Sequence, residues 1–149
     1  MTRILVPLDG SEHAWKAFGY AVDIAKSRGD ELLCLHVVPA EPRTPSLHAL
    51  ARAEGLSLDE EMARRREGLE LGDALTREAE QRARAQGLER VRGLAAAGKS
   101  AVEIVAVARD EEVDAIVLGV PGTGLFGGLL GAVSRKVART APCTCVMVR

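Results

Sequence analysis

The chain has 149 residues, 47% of them apolar, with 20 Lys and Arg against 21 Asp and Glu. That size supports one domain around one sizeable core, and a formal net charge of −1 provides no whole-protein field toward nucleic acid or an anionic membrane. One Trp, one Tyr and two Phe are too few for a surface on which single-stranded bases stack.

In chain order, the opening MTRILVPLDG has neither a cationic leader nor an apolar signal core, and no apolar run approaches a membrane span. With only Cys34, Cys143 and Cys145, too few and too clustered for a disulfide framework, the expected location is the cytoplasm with thiols reduced. Arg3 to Leu8 is a short apolar run stopped by Asp9-Gly10, a buried strand. Ser11 to Arg28 carries Trp15, Phe18, Val22 and Ala25 at helical spacing and ends at Gly29-Asp30. Glu31 to Val38 is a second strand, halted by Pro39, Pro42 and Pro45. Pro39 to Ser57 reads as a mobile connection, and Asp59 to Gln86 as a helix whose charge pairs face solvent. Glu89 to Ala95 starts a third, weaker strand, and Ser100 to Glu111 is a helix with Val102, Val105 and Ala106 toward the core. Ala115 to Val120 is the fourth strand. A glycine-rich loop follows, then a helix over Ala132 to Thr140, then a final strand over Thr144 to Val148.

Alternating strands and helices predict an α/β domain, doubly wound, with a parallel sheet covered on both faces. When such a sheet winds both ways from its first strand, ligands bind at the switch point outside the strands' carboxyl ends.

Two nucleotide motifs compete for attention. Gly93 to Ser100, GLAAAGKS, spells the phosphate-loop pattern. Yet Leu88 to Arg92 before it is too polar for a central strand, and Leu94 to Ala97 prefers regular structure to an anion nest. We read Gly93 to Ala97 as strand and Gly98-Lys99-Ser100 as the turn, with Ser100 as N-cap. An ATPase built on this stretch ranks last, since no placed base or magnesium ligand accompanies it. The second pattern, Gly122-Thr-Gly124-Leu-Phe-Gly127, spells a dinucleotide fingerprint but lacks the later strand ending in an acid that would hold a ribose.

What survives is a pair of segments predicted at the carboxyl ends of neighbouring strands. Pro7-Leu8-Asp9-Gly10-Ser11 offers a carboxylate suited to ribose hydroxyls. Gly119 to Ser134 offers glycines that allow close backbone approach, then a helix N-terminus that favours phosphate.

Ile4 to Ser11, Leu35-His36-Val37, Asp114 to Gly119, and Gly131 to Val137 through Ala141-Pro142-Cys143 are similar, in order, to the signature segments of the universal stress protein family. The likeness spans nearly the whole chain, outside a variable insertion at about 39–73. It implies a five-stranded parallel sheet in the order 3-2-1-4-5 and, by analogy with the nucleotide-binding branch, a site for ATP, or AMP or ADP, with or without magnesium. On that analogy Pro7, Leu8 and Asp9 face the adenosine and Val37 walls the adenine. Leu118 and Gly119 lie beside the ribose. Gly122, Gly131, Ala132 and Val133 present backbone to phosphates, and Ser134 adds a hydroxyl. Two departures weaken the phosphate end: eight residues rather than nine separate Gly122 from Gly131, and Ala132 stands where the family has Ser or Thr. A hydroxyl lost from a charged phosphate is worth about 1.5–3 kcal/mol. The resemblance further implies a non-enzymatic regulatory protein that dimerises through its last strand, which is predicted to be an apolar sheet edge. The alternative is a dimeric interaction module of the same fold that binds no nucleotide.

His13, His36 and His48 have no nucleophile beside them and read as surface or structural histidines. Cys143 and Cys145, two apart on a strand, share a face and read as small apolar packing rather than metal ligands. A solvated helix face accounts for Arg64-Arg65-Arg66 better than a phosphate-covering lid does.

Overall fold

The computed structural model describes residues 2–39, 58–121 and 131–149. The connection expected at Pro39 to Ser57 falls almost entirely outside these residues, as do Gly122 and the rest of the glycine loop through Leu130. The elements run β1 (Arg3–Pro7), α1 (Glu12–Arg28), β2 (Glu31–Pro39), α2 (Leu58–Ala85), β3 (Val91–Gly98), α3 (Ser100–Asp110), β4 (Ala115–Gly119), α4 (Ala132–Thr140) and β5 (Thr144–Val148). The sheet order is β3-β2-β1-β4-β5 and every pairing is parallel. The architecture is therefore the doubly wound one expected, with β1 at its centre.

Side-chain alternation along the strands divides the core into two layers. Ile4, Val6, Leu32, Cys34 and Val117 pack with Phe18, Ala21 and Val22 of α1 and with Ala79 and Ala83 of α2. Leu5, Leu33, Leu35, Ile116 and Leu118 pack on the other face with Ile104 and Val105 of α3 and Val137 of α4. A fully buried Leu or Val of this kind contributes about 1.5–3 kcal/mol relative to leaving it exposed. Both layers accept neighbours from β5 and the residue before it: Val146 and Val148 on one side, Cys143, Cys145 and Met147 on the other. The paired cysteines thus share a face and serve as packing.

Helix α1 has the signals its sequence carries. The Ser11 side chain accepts a hydrogen bond from the Ala14 N–H at 3.2 Å, and Gly29, at φ 71°, closes the helix in the left-handed region. Helix α2 lies close against β2 and β3 because three glycines leave room. A Cβ on Gly72 would meet the His36 ring at 2.6 Å, one on Gly68 would meet Val38 at 2.7 Å, and one on Gly93 would meet Thr76 at 2.8 Å.

Three expectations need correction. Lys99, not Ser100, is the N-cap of α3, and no side-chain hydrogen bond caps that end; Ser100 is already helical. The buried residues of α3 are Ala101, Ile104, Val105 and Ala108, whereas Val102 is 45% exposed. At helical periodicity positions 101, 104, 105 and 108 share one face, and packing that face on the sheet turns Val102 outward. Strand β3 covers Val91–Gly98 rather than starting at Glu89, and it takes in Gly98. Its residues pair with β2 from Leu32↔Val91 to Pro39↔Gly98. The glycines of GLAAAGKS are therefore committed to a sheet ladder, and no phosphate loop forms.

The amino end of the sheet is tied by an ion network. Glu31 receives Arg3 at 2.9 Å and Arg92 at 2.8 Å, and Arg92 reaches on to Glu111 at 2.7 Å. Arg92, a residue that made β3 look too polar, serves as a strap across three elements.

Candidate functional site

The crevice begins where β1 and β4 part. Their ladder holds Ile4↔Ala115 and Leu5↔Ile116, while β1 and β2 stay in register from Arg3↔Glu31 to Pro7↔Leu35. Beyond that fork lies a cavity of about 320 Å³, within the range of small-molecule sites. From the β1 end it takes Pro7, Leu8 and Asp9, from β2 Leu35 and Val37, and from β4 Leu118, Gly119 and then Pro121. Helix α4 closes it with Gly131, Ala132, Val133 and Ser134. Every candidate residue from the sequence thus lines one cavity, apart from Gly122, which lies outside the described residues.

Each wall is positioned by identifiable bonds. The Leu8 N–H donates to the Leu35 carbonyl at 2.7 Å. The Leu8 carbonyl accepts from the His36 imidazole Nδ1–H, also at 2.7 Å, which fixes the tautomer because a carbonyl has no proton to give. Both sides of the Leu8 peptide are therefore pinned to β2, and Asp9 follows from a fixed backbone. His36 is structural, as expected, and its work is to hold the chain just before Asp9.

The Asp9 carboxylate accepts the Ser11 N–H at 2.9 Å. Partial burial pushes its pKa upward, but hydrogen bonds from Ser11 and the neighbouring His13 outweigh this and hold it below the usual carboxylate value. Asp9 is thus an ionised acceptor at neutral pH, the form needed to receive ribose hydroxyl protons.

Opposite stands the N-terminus of α4. Its cap residue is Gly131, with no side-chain cap bond and no acidic residue in the first turn. The first-turn N–H groups there have no intrahelical partners, and the helix dipole makes them attractive to an anion. Ser134, only 7% exposed, sits in that same turn.

Sequence reasoning missed six lining residues: His13, Ala14, Leu35, Ser100, Ile104 and Pro121. His13, expected to be an ordinary surface or structural histidine, is half-buried on the cavity wall. Ser100, the last letter of the discarded phosphate-loop pattern, reaches the cavity from the first turn of α3, whereas Lys99 does not line it. Leu35 and Ile104 extend the apolar wall beside Val37. Burial at the strand ends was readable, but which helix starts converge there depends on contacts distant in sequence.

Gly119 is fixed by close approach. A Cβ at this position would lie 2.5 Å from the His13 carbonyl carbon and 2.8 Å from the Ala14 nitrogen, and closer still to the His13 oxygen. The first turn of α1 is wedged against the end of β4, and only glycine allows it.

Among the described residues no cluster of three or more His, Cys, Asp or Glu could hold a metal ion. None of the described helices is long and apolar enough to cross a membrane. All three cysteines are free thiols.

Comparison with known proteins agrees with the geometry. A model of the universal stress protein family matches residues 1–149. A universal stress protein of Thermus aquaticus, encoded in the QAH/OAS sulfhydrylase 3′ region, is 35% identical over 147 residues, covering 98% of this chain and 97% of its own. Among solved structures, the universal stress protein UspA of Lactobacillus plantarum is similar with a TM-score of 0.71 at 30% identity, over 99% of this chain and 97% of that one. A universal stress protein in complex with cAMP gives a TM-score of 0.71 at 25% identity, over 99% and 97% of the two chains. With the whole sequence, the strand order and the relatives in agreement, the chain belongs to the universal stress protein family.

Proposed function

We propose that this chain is a small cytoplasmic regulatory protein of the stress response that binds an adenine nucleotide, ATP first and AMP or ADP as alternatives, in the crevice between β1 and β4. The observation that carries the reading is a single cavity joining the Asp9 carboxylate to the uncapped N-terminus of α4. Asp9 receives the ribose hydroxyls. Leu35, Val37 and Ile104 enclose the base, and the N–H groups of Ala132, Val133 and Ser134 receive phosphate. The relative of the same fold that holds cAMP supports an adenosine phosphate as the class of ligand. No chemical step is assigned to the site, and binding is the signal. The expected assembly is a homodimer through β5, a terminal strand of the sheet. Sedimentation analysis tests it, a monomer at micromolar concentration being the contrary result.

The test of binding is a thermal-shift titration with ATP, ADP, AMP and cAMP, with and without magnesium. A ligand at a hundred times its Kd stabilises by about 2.7 kcal/mol, which for a domain of this size raises the midpoint by roughly 5–11 °C. Asp9→Ala removes the shift and Lys99→Ala leaves it. No shift with any nucleotide at millimolar concentration refutes the reading.

A second reading, an interaction module without nucleotide, draws on Ala132, which gives the first turn of α4 a methyl where a hydroxyl would reach phosphate. It predicts that Ala132→Ser, with the loop lengthened by one residue, creates binding the native chain lacks.

A further inference from the structure

The cavity poses a charge problem that the nucleotide reading leaves open. Its described lining has two titratable side chains, Asp9 and His13, and ionised Asp9 repels an anionic ligand. Residues 122–130 carry no charged side chain at all. The first turn of α4 has none, and Arg135 and Lys136, which follow it, are exposed and outside the lining. At the end of β4, Gly119 to Pro121 carry none either. On α1 itself, Glu12 and Lys16 are exposed. His13 is therefore the one side chain in the described lining able to carry positive charge.

Its place is set by backbone. His13 is the second residue of α1, and its carbonyl is pressed against Gly119 at the fork between β1 and β4. The first-turn residues of α4 line the same cavity. His13 also interacts electrostatically with Asp9 and favours the ionised form of that carboxylate. His13 thus lines the same cavity as Asp9, the acceptor for the ribose, and as residues 132–134, whose N–H groups would receive the phosphate.

Resting on the nucleotide reading above, we infer that His13, as imidazolium, is the cation that meets the ligand's phosphate, so that nucleotide affinity rises as pH falls. Imidazole changes charge between pH 5 and 8, so the protein couples nucleotide occupancy to acidity in the physiological range. Asp9 stays ionised across that range, its carboxyl being held below the usual value, and contributes no slope. One coupled proton limits the slope to tenfold in affinity per pH unit.

The probe is cAMP, whose phosphodiester keeps a single negative charge across this window, unlike a phosphomonoester with its second pKa near 6. Adenosine is the uncharged reference. Calorimetric titration at pH 5.5, 6.5, 7.5 and 8.0 is expected to show cAMP binding about tenfold weaker at pH 8.0 than at 5.5, with adenosine binding flat. His13→Gln binds cAMP with the weak, high-pH affinity throughout. His13→Lys stays charged and binds tightly at every pH, which a merely structural role for the histidine does not predict. A flat cAMP profile in the native chain, an equal slope for adenosine, or a slope retained in His13→Gln overturns the inference and leaves the nucleotide site standing. Failure of both cAMP and adenosine to bind at any pH overturns the nucleotide reading and this inference together. Far-UV circular dichroism and the thermal midpoint of each variant establish that it is folded.

Discussion

Replacing Gly119 by Ala tests whether the crevice is built by the wedge of α1 against β4. The added Cβ would stand 2.5 Å from the His13 carbonyl carbon and 2.8 Å from the Ala14 nitrogen. An ordinary contact needs roughly 1 Å more, and every obstructing atom is main chain, so no rotamer change relieves it. The start of α1 must retreat or β4 must bow, disturbing Ala14 and Val117, which are 4% and 1% exposed. Overpacking of this kind costs typically 1–3 kcal/mol, and a backbone clash belongs at the upper end, about 3 kcal/mol. For a domain of this length that lowers the thermal midpoint by roughly 6–12 °C. Trp15 is the chain's one tryptophan and lies on α1, edge-on to Phe18 at 5.2 Å between ring centroids. Its fluorescence therefore reports urea unfolding of the region that moves. An unfolding free energy within about 0.5 kcal/mol of the native protein's, the range of an innocuous surface change, refutes the wedge.

Three other perturbations discriminate among parts of the account. Gly131→Asp supplies the missing cap to α4, since a Cβ there meets nothing within 4 Å; it is expected to raise unfolding stability by a few tenths of a kcal/mol while weakening nucleotide binding by occupying the same N–H groups and adding negative charge. Equal or tighter binding in that variant contradicts the assignment of phosphate to α4. Burial resists ionisation of Glu31, but Arg92 and Arg3 outweigh it and hold its pKa below the usual value. Its contribution is therefore complete above the unfolded-state pKa and lost as pH falls through the lower folded-state one. Glu31→Gln is expected to lower stability at pH 7 by about 1 kcal/mol, the arginines being partly exposed, and to flatten the fall in urea midpoint between pH 5 and 2; an unchanged acid profile refutes it. Burial, helped by Glu80, pushes the Cys34 thiol up to about 12. At pH 8 iodoacetamide is expected to leave Cys34 unmodified in the native protein and to modify it in urea, read by mass spectrometry, and rapid native labelling would contradict the packing of β2.

The sheet was legible because its signals are local. Apolar runs at Arg3 to Leu8 and Ala115 to Val120, each stopped by a turn residue, identify the two strands whose ends flank the cavity, and Ser11 and Gly29 bracket α1 where expected. The decoy GLAAAGKS was also separable, since Leu94 to Ala97 suits a strand, and these residues do pair with β2. What escaped depends on contacts between distant segments. Gly68, Gly72 and Gly93 look like ordinary interruptions until α2 is seen lying on β2 and β3. Val102 was assigned inward because it is apolar, yet the face that packs on the sheet is the one carrying Ala101, Ile104, Val105 and Ala108, and apolar character alone does not say which face that is. His13 looked incidental because nothing nearby in sequence says that Gly119 will press against its carbonyl. Ser100 belonged to a rejected motif, yet the turn after an outer strand brings it to the same cavity as Asp9.

Diffraction from crystals grown with AMP tests the central claim most directly. The account predicts ligand density in the cavity at the fork of β1 and β4, with the ribose hydroxyls on the Asp9 carboxylate and the phosphate on main-chain N–H groups of residues 132–134. Phosphate density beside Lys99, or an empty cavity at saturating nucleotide, would contradict it.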